Sequence, residues 1–416
     1  MLSKKHIMSE PIRLYHEHLP SLVESLTQSG SLALILLDVT PFNAIEEQYG
    51  TQTYRSIRQQ LFTLLLEQSG KEYREGDILT LEEPGGVNLL LFLSPGHKET
   101  CISFELLKTL RLCLIEQLIP KLLRTSLPYL KQQPQISIGY ALGINNSILD
   151  PHHIILRIIR EARHHAKFQQ SVDDMESMQQ LKELILQENI NTLYQPILDI
   201  KDGMPIGYEA LSRGGPGTPF STADLLFDTA IKHNLQVELD RICRKRALLL
   251  SNRLPENTKI FINTLPPIMH DPEFQKHHLV DSLEHARITP DRIVIEVTEK
   301  LAIDNLSLFE DAMTYYTNMG MTLAVDDVGS GYSGLQIVSK LKPAYLKLDK
   351  SLVRAVSRSK ISQEILKAIV VLGRSFGAKL IAEGIENVDQ LNALRAIGID
   401  YGQGFFLGRP QSMINY

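Results

Sequence analysis

A closed α/β barrel of the (β/α)8 type, preceded by a smaller α+β domain, is the architecture expected of this 416-residue chain. Three observations point to it. From residue 191 onward, short apolar runs alternate with amphipathic helical stretches, the pattern of a parallel sheet. Eight such runs fit into about 220 residues, the count that closes a barrel. Six of them break off on a carboxylate, an amide or a lysine, whereas the runs between residues 30 and 168 show no clustered acids at their ends.

The elements follow in order. Residues 1–29 form an N-terminal helical extension. In the domain at 30–170, Leu32–Val39 reads as a buried strand and Phe42–Gly50 opens a helix continuing through Leu66. Asp77–Leu93 reads as a hairpin with Pro84-Gly85-Gly86 at its tip. Cys101–Leu123 is helical, Gln135–Leu142 a strand and Pro151–Phe168 a helix. A polar helical stretch at 171–190 links this domain to the barrel at 191–416. Barrel strands are expected at Thr192–Pro196, Pro205–Ala210, Lys259–Asn263, Arg292–Val297, Thr322–Val325, Tyr345–Leu348, Lys379–Ala382 and Tyr401–Leu407. Between them, helices are expected at Ala223–His233, Glu238–Asn252, Pro272–Ala286, Leu306–Met319, Ser362–Phe376 and Val388–Ile397. Thr222, Asp271 and Asn387 supply N-cap oxygens for three of these.

Composition narrows the class. With 43% hydrophobic and 22% charged residues the chain reads as a globular protein with an ample core. A net charge of −5 without a basic block argues against a nucleic-acid duplex as partner. The three unpaired cysteines suit a cytoplasmic chain, and neither a signal peptide nor a membrane-length apolar run is visible. The adjacent pairs His152-His153, His164-His165 and His277-His278 lack the spacing of a helical metal site and read as surface residues.

Side chains at the C-terminal ends of barrel strands face a common mouth. The run ends are Glu209, Asn263, Glu296, Asp326-Asp327, Lys347 and Glu383. Oxygen donors without cysteine or histidine suit Mg²⁺ or Mn²⁺ rather than zinc or iron. Adjacent carboxylates at 326 and 327 raise each other's pKa unless cations lie between them. A pair of metals bridged by Asp326 satisfies the set and is the equipment of phosphodiester hydrolysis. Lys347 then orients the attacking water and Glu383 holds the lysine, while glycines 329 and 331 free the backbone after the aspartates.

From about Leu181 to Gln411 the chain resembles the EAL-domain cyclic di-GMP phosphodiesterases. The resemblance is carried by Tyr194-Gln195-Pro196-Ile197, Glu209-Ala210-Leu211-Ser212-Arg213, Asn263, Glu296-Val297-Thr298-Glu299 and Asp326-Asp327-Val328-Gly329-Ser330-Gly331-Tyr332-Ser333. Lys347-Leu348-Asp349, Ala382-Glu383-Gly384-Ile385-Glu386 and Gly402-Gln403-Gly404 complete it. It implies a modified barrel whose first strand is antiparallel, and hydrolysis of cyclic di-GMP to pGpG with two Mg²⁺ or Mn²⁺ per active site. Glu209, Asn263, Glu296, Asp326 and Asp327 are then metal ligands, and Glu383 and Gln403 complete the metal–water network. Gln195, Leu211, Arg213, Asn263, Gln403 and Glu386 contact substrate, and Glu299 steadies the loop after Asp327. It further implies a homodimer through the EAL domain. The family usually has Phe where Val328 stands and Ser where Gly334 stands, in the loop that couples metal binding to dimerisation. A non-catalytic cyclic di-GMP receptor signalling through a protein partner is the alternative reading.

The N-terminal domain resembles a degenerate GGDEF (diguanylate cyclase) domain through Leu36-Leu37-Asp38-Val39-Thr40-Pro41-Phe42, Tyr49-Gly50 and Ile136-Ser137-Ile138-Gly139. Its signature turn reads Gly85-Gly86-Val87-Asn88-Leu89, and Glu46 stands where an asparagine normally reads guanine, so cyclase activity is expected to be lost. Arg74 and Asp77 have the Arg-x-x-Asp form of that family's regulatory cyclic di-GMP site.

Overall fold

The computed structural model describes residues 12–68, 70, 73–74, 76–84, 86, 88–95, 102–121, 136–265, 276–298, 314–329, 340 and 342–412. It divides into two compact units between Glu176 and Ser177. That boundary falls inside one continuous helix, Pro151–Leu186, where the sequence suggested a helix ending near Phe168 and a separate linker. Among the described residues, no helix is long and apolar enough to cross a membrane.

In the N-terminal unit, β1 (Ser31–Asp38), β2 (Ile78–Leu81), β3 (Leu89–Leu93) and β4 (Ser137–Ile144) form an antiparallel sheet in the order β2-β3-β1-β4. β1 is apolar on both faces because both are covered. Ala33, Ile35 and Leu37 pack under the helices Asn43–Leu66 and Phe104–Cys113, while Leu32, Leu34 and Leu36 meet Leu19–Ser29 and the long helix. The helix from Asn43 is interrupted at Gly50, whose φ of 82° and ψ of 164° leave the helical region. This is the α+β sandwich the pattern indicated.

The C-terminal unit closes a barrel from β5 (Ile190–Asp199), β6 (Pro205–Gly214), β7 (Lys259–Asn263), β8 (Ile293–Thr298), β9 (Thr322–Val328), β10 (Tyr345–Leu348), β11 (Lys379–Ala382) and β12 (Tyr401–Gly402). β5 runs antiparallel to both neighbours, β6 and β12, and every other pairing is parallel. Alternation along each strand separates two cores. Ile260, Ile262, Ile293, Ile295, Leu346 and Leu380 face outward into the layer shared with the helices. Ile197, Phe261, Val294, Ala324 and Ile381, with Tyr345 and Tyr401 against them, plug the interior.

β12 is shorter than the run that suggested it. After Gly402 the chain turns across the loop following β11: Ile385 N–H donates to the Gln403 carbonyl and Phe406 N–H to the Ile385 carbonyl. Gly404 permits the crossing, since a Cβ there would lie 2.2 Å from the Ile385 backbone nitrogen and oxygen. Gly404→Ala is therefore expected to lower stability by about 1–3 kcal/mol through overpacking. Urea unfolding of the variant checks this, and an unchanged midpoint would contradict the close approach.

Candidate active site

The interior plug explains which side chains reach the mouth. Two residues beyond each plug residue, on the same inward face, stand Asn263 after Phe261, Glu296 after Val294 and Asp326 after Ala324. Lys347, Glu383 and Gln403 follow Tyr345, Ile381 and Tyr401 in the same way. β5 runs in reverse, so its contribution lies two residues before Ile197, at Gln195, directly opposite Glu209. Leu211 and Arg213 continue the inward row of β6. The Asp pair breaks the rule, because neighbours on a regular strand point to opposite faces. The register of β9 against β10 slips by one residue there: Val325 pairs with Leu346, but Val328 pairs with Leu348. This bulge, with Asp327 at φ 59°, turns both carboxylates toward one place.

Lys347 is the centre. Fully buried, its Nζ lies 2.7 Å from Glu383, 2.9 Å from Glu296, 3.2 Å from Glu209 and 3.5 Å from Asp326. Asn263 Nδ2 donates to Glu209 Oε1 at 3.0 Å, and Gln403 Nε2 donates to Glu209 Oε2 at 2.7 Å. Gln403 also donates to Gln195 Oε1, and Gln195 in turn donates to the Gly408 carbonyl. Carboxylate oxygens of Asp326, Asp327 and Glu383 lie within 4.8 Å of one another, close enough to share a cation. Arg213 donates to the Ser212 carbonyl, and Glu386 pairs with Arg354 at the rim. Glu299 lies outside the described residues, as do Ser330 to Ser333 and Gly334.

Burial and crowding set the charges. Burial, the largest influence, pushes the Glu296 carboxyl well above the ordinary carboxylate range, with Glu209 and Asp326 adding to it and Lys347 opposing. Burial likewise raises Glu383 to about 8 against the pull of Lys347. Asp327 rises to about 6, through burial and then its neighbours Asp326 and Asp349. Burial also opposes charge on Glu209, but Lys347 and the hydrogen bonds from Gln403 and Asn263 hold it below its usual value. Burial works to discharge Lys347 too, yet Asp326, Glu209, Glu296 and Glu383 keep it well above its ordinary value.

Divalent cations fit this donor set. All the donors are oxygens, and among the described residues the buried Glu296 carboxylate is answered by the Lys347 ammonium at Oε1, while Oε2 receives no hydrogen bond. That open acceptor is what a hard cation satisfies.

The sequence reading ranked the run ends and reached Gln195 and Gln403 only through resemblance. Counting two residues from the plug residues Ile197 and Tyr401 would have found both. Arg354 carried no sequence signal, since its partner Glu386 comes from a different loop.

The other candidates are occupied locally. Asp38 accepts from the Thr40 N–H and hydroxyl, and Asn88 accepts from Val39 N–H while donating to Glu82. Glu82 is ion-paired with Arg163. Asp77 accepts from the backbone N–H groups of Arg74 and Ser94, and Arg74 donates to the Ser94 carbonyl.

Two expectations follow for the metal-free protein. Lys347→Met leaves the buried carboxylates uncompensated and is expected to cost about 3–5 kcal/mol in urea unfolding. Adding Glu296→Gln should recover part of that loss, and full stability of the single variant would refute the central role of the ammonium. The second concerns pH. Folded values of about 6 for Asp327 and about 8 for Glu383 lie above the roughly 4 of an unfolded carboxyl. The folded state thus holds more protons in that window, so this stability is present at low pH and lost as pH rises through those values. In chelator, the barrel's melting temperature should fall between about pH 5 and about pH 9, and a divalent cation should restore it most at the alkaline end.

Comparison with known proteins agrees with this geometry. The EAL domain family matches residues 178–410. The bifunctional diguanylate cyclase/cyclic di-GMP phosphodiesterase MucR of Pseudomonas aeruginosa is 25% identical over 93% of this chain and 57% of its own length. The cyclic di-GMP phosphodiesterase PdeA of Borreliella burgdorferi is 30% identical over 52% of this chain and 33% of its own. The chain thus spans less than two thirds of the length of these relatives. Among solved structures, the PaMucR phosphodiesterase in its c-di-GMP complex is 27% identical with a TM-score of 0.51, covering 57% of this chain and 98% of that one. The EAL domain of Xanthomonas citri FimX, solved with c-di-GMP, shares the fold at 21% identity and a TM-score of 0.55, covering 59% and 98%. Through its barrel, the chain belongs to the EAL domain family.

Proposed function

We propose that this protein is a metal-dependent phosphodiesterase that linearises cyclic di-GMP to pGpG. The observation that carries the reading is the inward ring of acids gathered on Lys347. If all are ionised, Glu209, Glu296, Asp326, Asp327 and Glu383 set against one ammonium leave four negative charges, the charge of two divalent cations. Glu209, Asn263, Glu296, Asp326 and Asp327 would hold Mg²⁺ or Mn²⁺, with Glu383 and Gln403 beside them. Such a pair, when bound, polarises a phosphoryl oxygen and acidifies water.

The chain's own residues supply the rest. Arg213 offers a guanidinium fork to a phosphate, and Gln195 and Leu211 line the path of the dinucleotide. Lys347 and Glu383, 2.7 Å apart, make a donor–acceptor pair that orients the attacking water. That water adds to phosphorus, the P–O3′ bond breaks, and the 3′-oxygen leaves with a proton.

Asn263 and Gln403 fix the Glu209 carboxylate and lie beside the substrate, and Glu299 would steady the loop after Asp327. The N-terminal unit is read as a degenerate GGDEF domain over residues 30–170, with Arg74 and Asp77 a possible regulatory site. Homodimerisation through the barrel, a cytoplasmic location and a regulatory protein partner belong to the same reading.

Val328 in place of the family's phenylalanine favours a second reading, a catalytically silent cyclic di-GMP receptor. One experiment separates the two. Purified protein incubated with cyclic di-GMP and Mg²⁺ or Mn²⁺ is expected to yield pGpG, resolved by anion-exchange chromatography. Tight binding without product under either metal establishes the receptor. Glu209→Ala is expected to leave less than about 1% of turnover by removing a ligand, and full activity in that variant rejects the metal assignment.

A further inference from the structure

At the rim of the barrel mouth, a short helix and a loop present one ion pair. Arg354 lies on the short helix Lys350–Ala355, which starts three residues after Lys347. Glu386 lies three residues after Glu383. Their charged ends meet at 3.1 Å, with the side chains 62% and 51% exposed, so both face a ligand arriving from solvent.

Each half is fixed from behind. The Glu386 N–H donates to Gln390 Oε1 at 2.7 Å, and Gln390 is buried. Asp349 caps the arginine's helix through the Ser351 N–H. The helix presses on the glutamate's loop so closely that a Cβ on Gly384, itself at φ 68°, would lie 2.8 Å from Lys350 Cβ. An exposed ion pair contributes little to stability, so this backing has a better use in recognition.

We infer that the Arg354–Glu386 pair reads the Watson–Crick edge of a guanine and sets the site's preference for guanine over adenine. The inference rests on the cyclic di-GMP reading above. Guanine presents an acceptor, O6, beside two donors, N1–H and the 2-amino group. A carboxylate beside a guanidinium presents the complement: two acceptor oxygens for the donors, and N–H groups for O6. Adenine reverses the pattern, setting its amino group against the arginine and its N1 lone pair against the carboxylate. A site built to pair polar groups rejects the analogue that leaves them unpaired. Because Arg354 acts on a base and not on the reacting phosphate, its removal weakens binding rather than chemistry.

The test is titration calorimetry of the full chain in chelator with cyclic di-GMP, cyclic di-AMP and cyclic di-IMP, beside steady-state kinetics with metal. Arg354→Met should weaken cyclic di-GMP binding roughly 10- to 100-fold and raise KM with kcat within about threefold. Its cyclic di-AMP affinity should stay within about twofold of the parent, and Arg354→Lys should fall between the two. Cyclic di-IMP, lacking the 2-amino group, should bind the parent more weakly than cyclic di-GMP and respond less to Glu386→Gln. Parent-like cyclic di-GMP affinity in Arg354→Met overturns the inference while leaving the proposed function intact. A parent protein that neither binds cyclic di-GMP in chelator nor hydrolyses it with metal removes both.

Discussion

One buried ammonium organises the barrel mouth. Lys347 meets four carboxylates at 2.7–3.5 Å, with no solvent contact of its own. At an effective dielectric of about 20, each such contact is worth about 5 kcal/mol of attraction. The carboxylates repel one another over distances only slightly longer, so a single cation cannot hold them all ionised. The metal-free protein resolves the conflict with protons: Glu209 stays charged under its hydrogen bonds, while Glu296 and Glu383 are pushed toward their neutral forms. Sites that crowd titratable groups and drive their pKa values apart are the arrangement catalysis uses.

The backbone makes that crowding possible. A period of two, counted from an apolar plug, brings residues from six strands into one layer, and β6 adds Glu209 opposite Gln195 of the antiparallel β5. Adjacent aspartates would defeat this geometry on a regular strand. The one-residue slip of β9 against β10 admits the second carboxylate, at the expense of an aspartate with positive φ. Gly404 serves the same layer from below, because its missing Cβ lets the chain cross Ile385 and carry Gln403 to Glu209.

Much of this was legible beforehand. The barrel strands at Lys259–Asn263, Tyr345–Leu348 and Lys379–Ala382 begin and end where the alternation does, because each is framed by helices and buried on both faces. The run-ending residues Glu209, Glu296, Lys347 and Glu383 stood out because charge at the end of an apolar run has to be satisfied locally. Less visible was whatever depends on two distant segments meeting. The slip at Asp326-Asp327 is defined only against Leu346 and Leu348. The shortening of β12 reflects a crossing with Ile385, and Arg354 gains meaning only beside Glu386. The continuity of Pro151–Leu186 was missed for a different reason. Its centre is polar on most faces, so hydrophobic periodicity fades although every turn remains helical.

The same accounting separates the two units chemically. Among the described residues of the N-terminal unit, the polar side chains beside β1 and β3 are answered from within: Asp38 by Thr40, Asn88 by Val39 and Glu82, and Glu82 by Arg163. Such a network answers its own charges. The barrel does the reverse. It buries a carboxylate with one oxygen left without a hydrogen bond, keeps three more acids around the same ammonium, and bends its backbone to add a fifth. Folding energy is spent there on an arrangement that only further positive charge completes. In physical terms, that unanswered charge distinguishes a reactive site from a structural one.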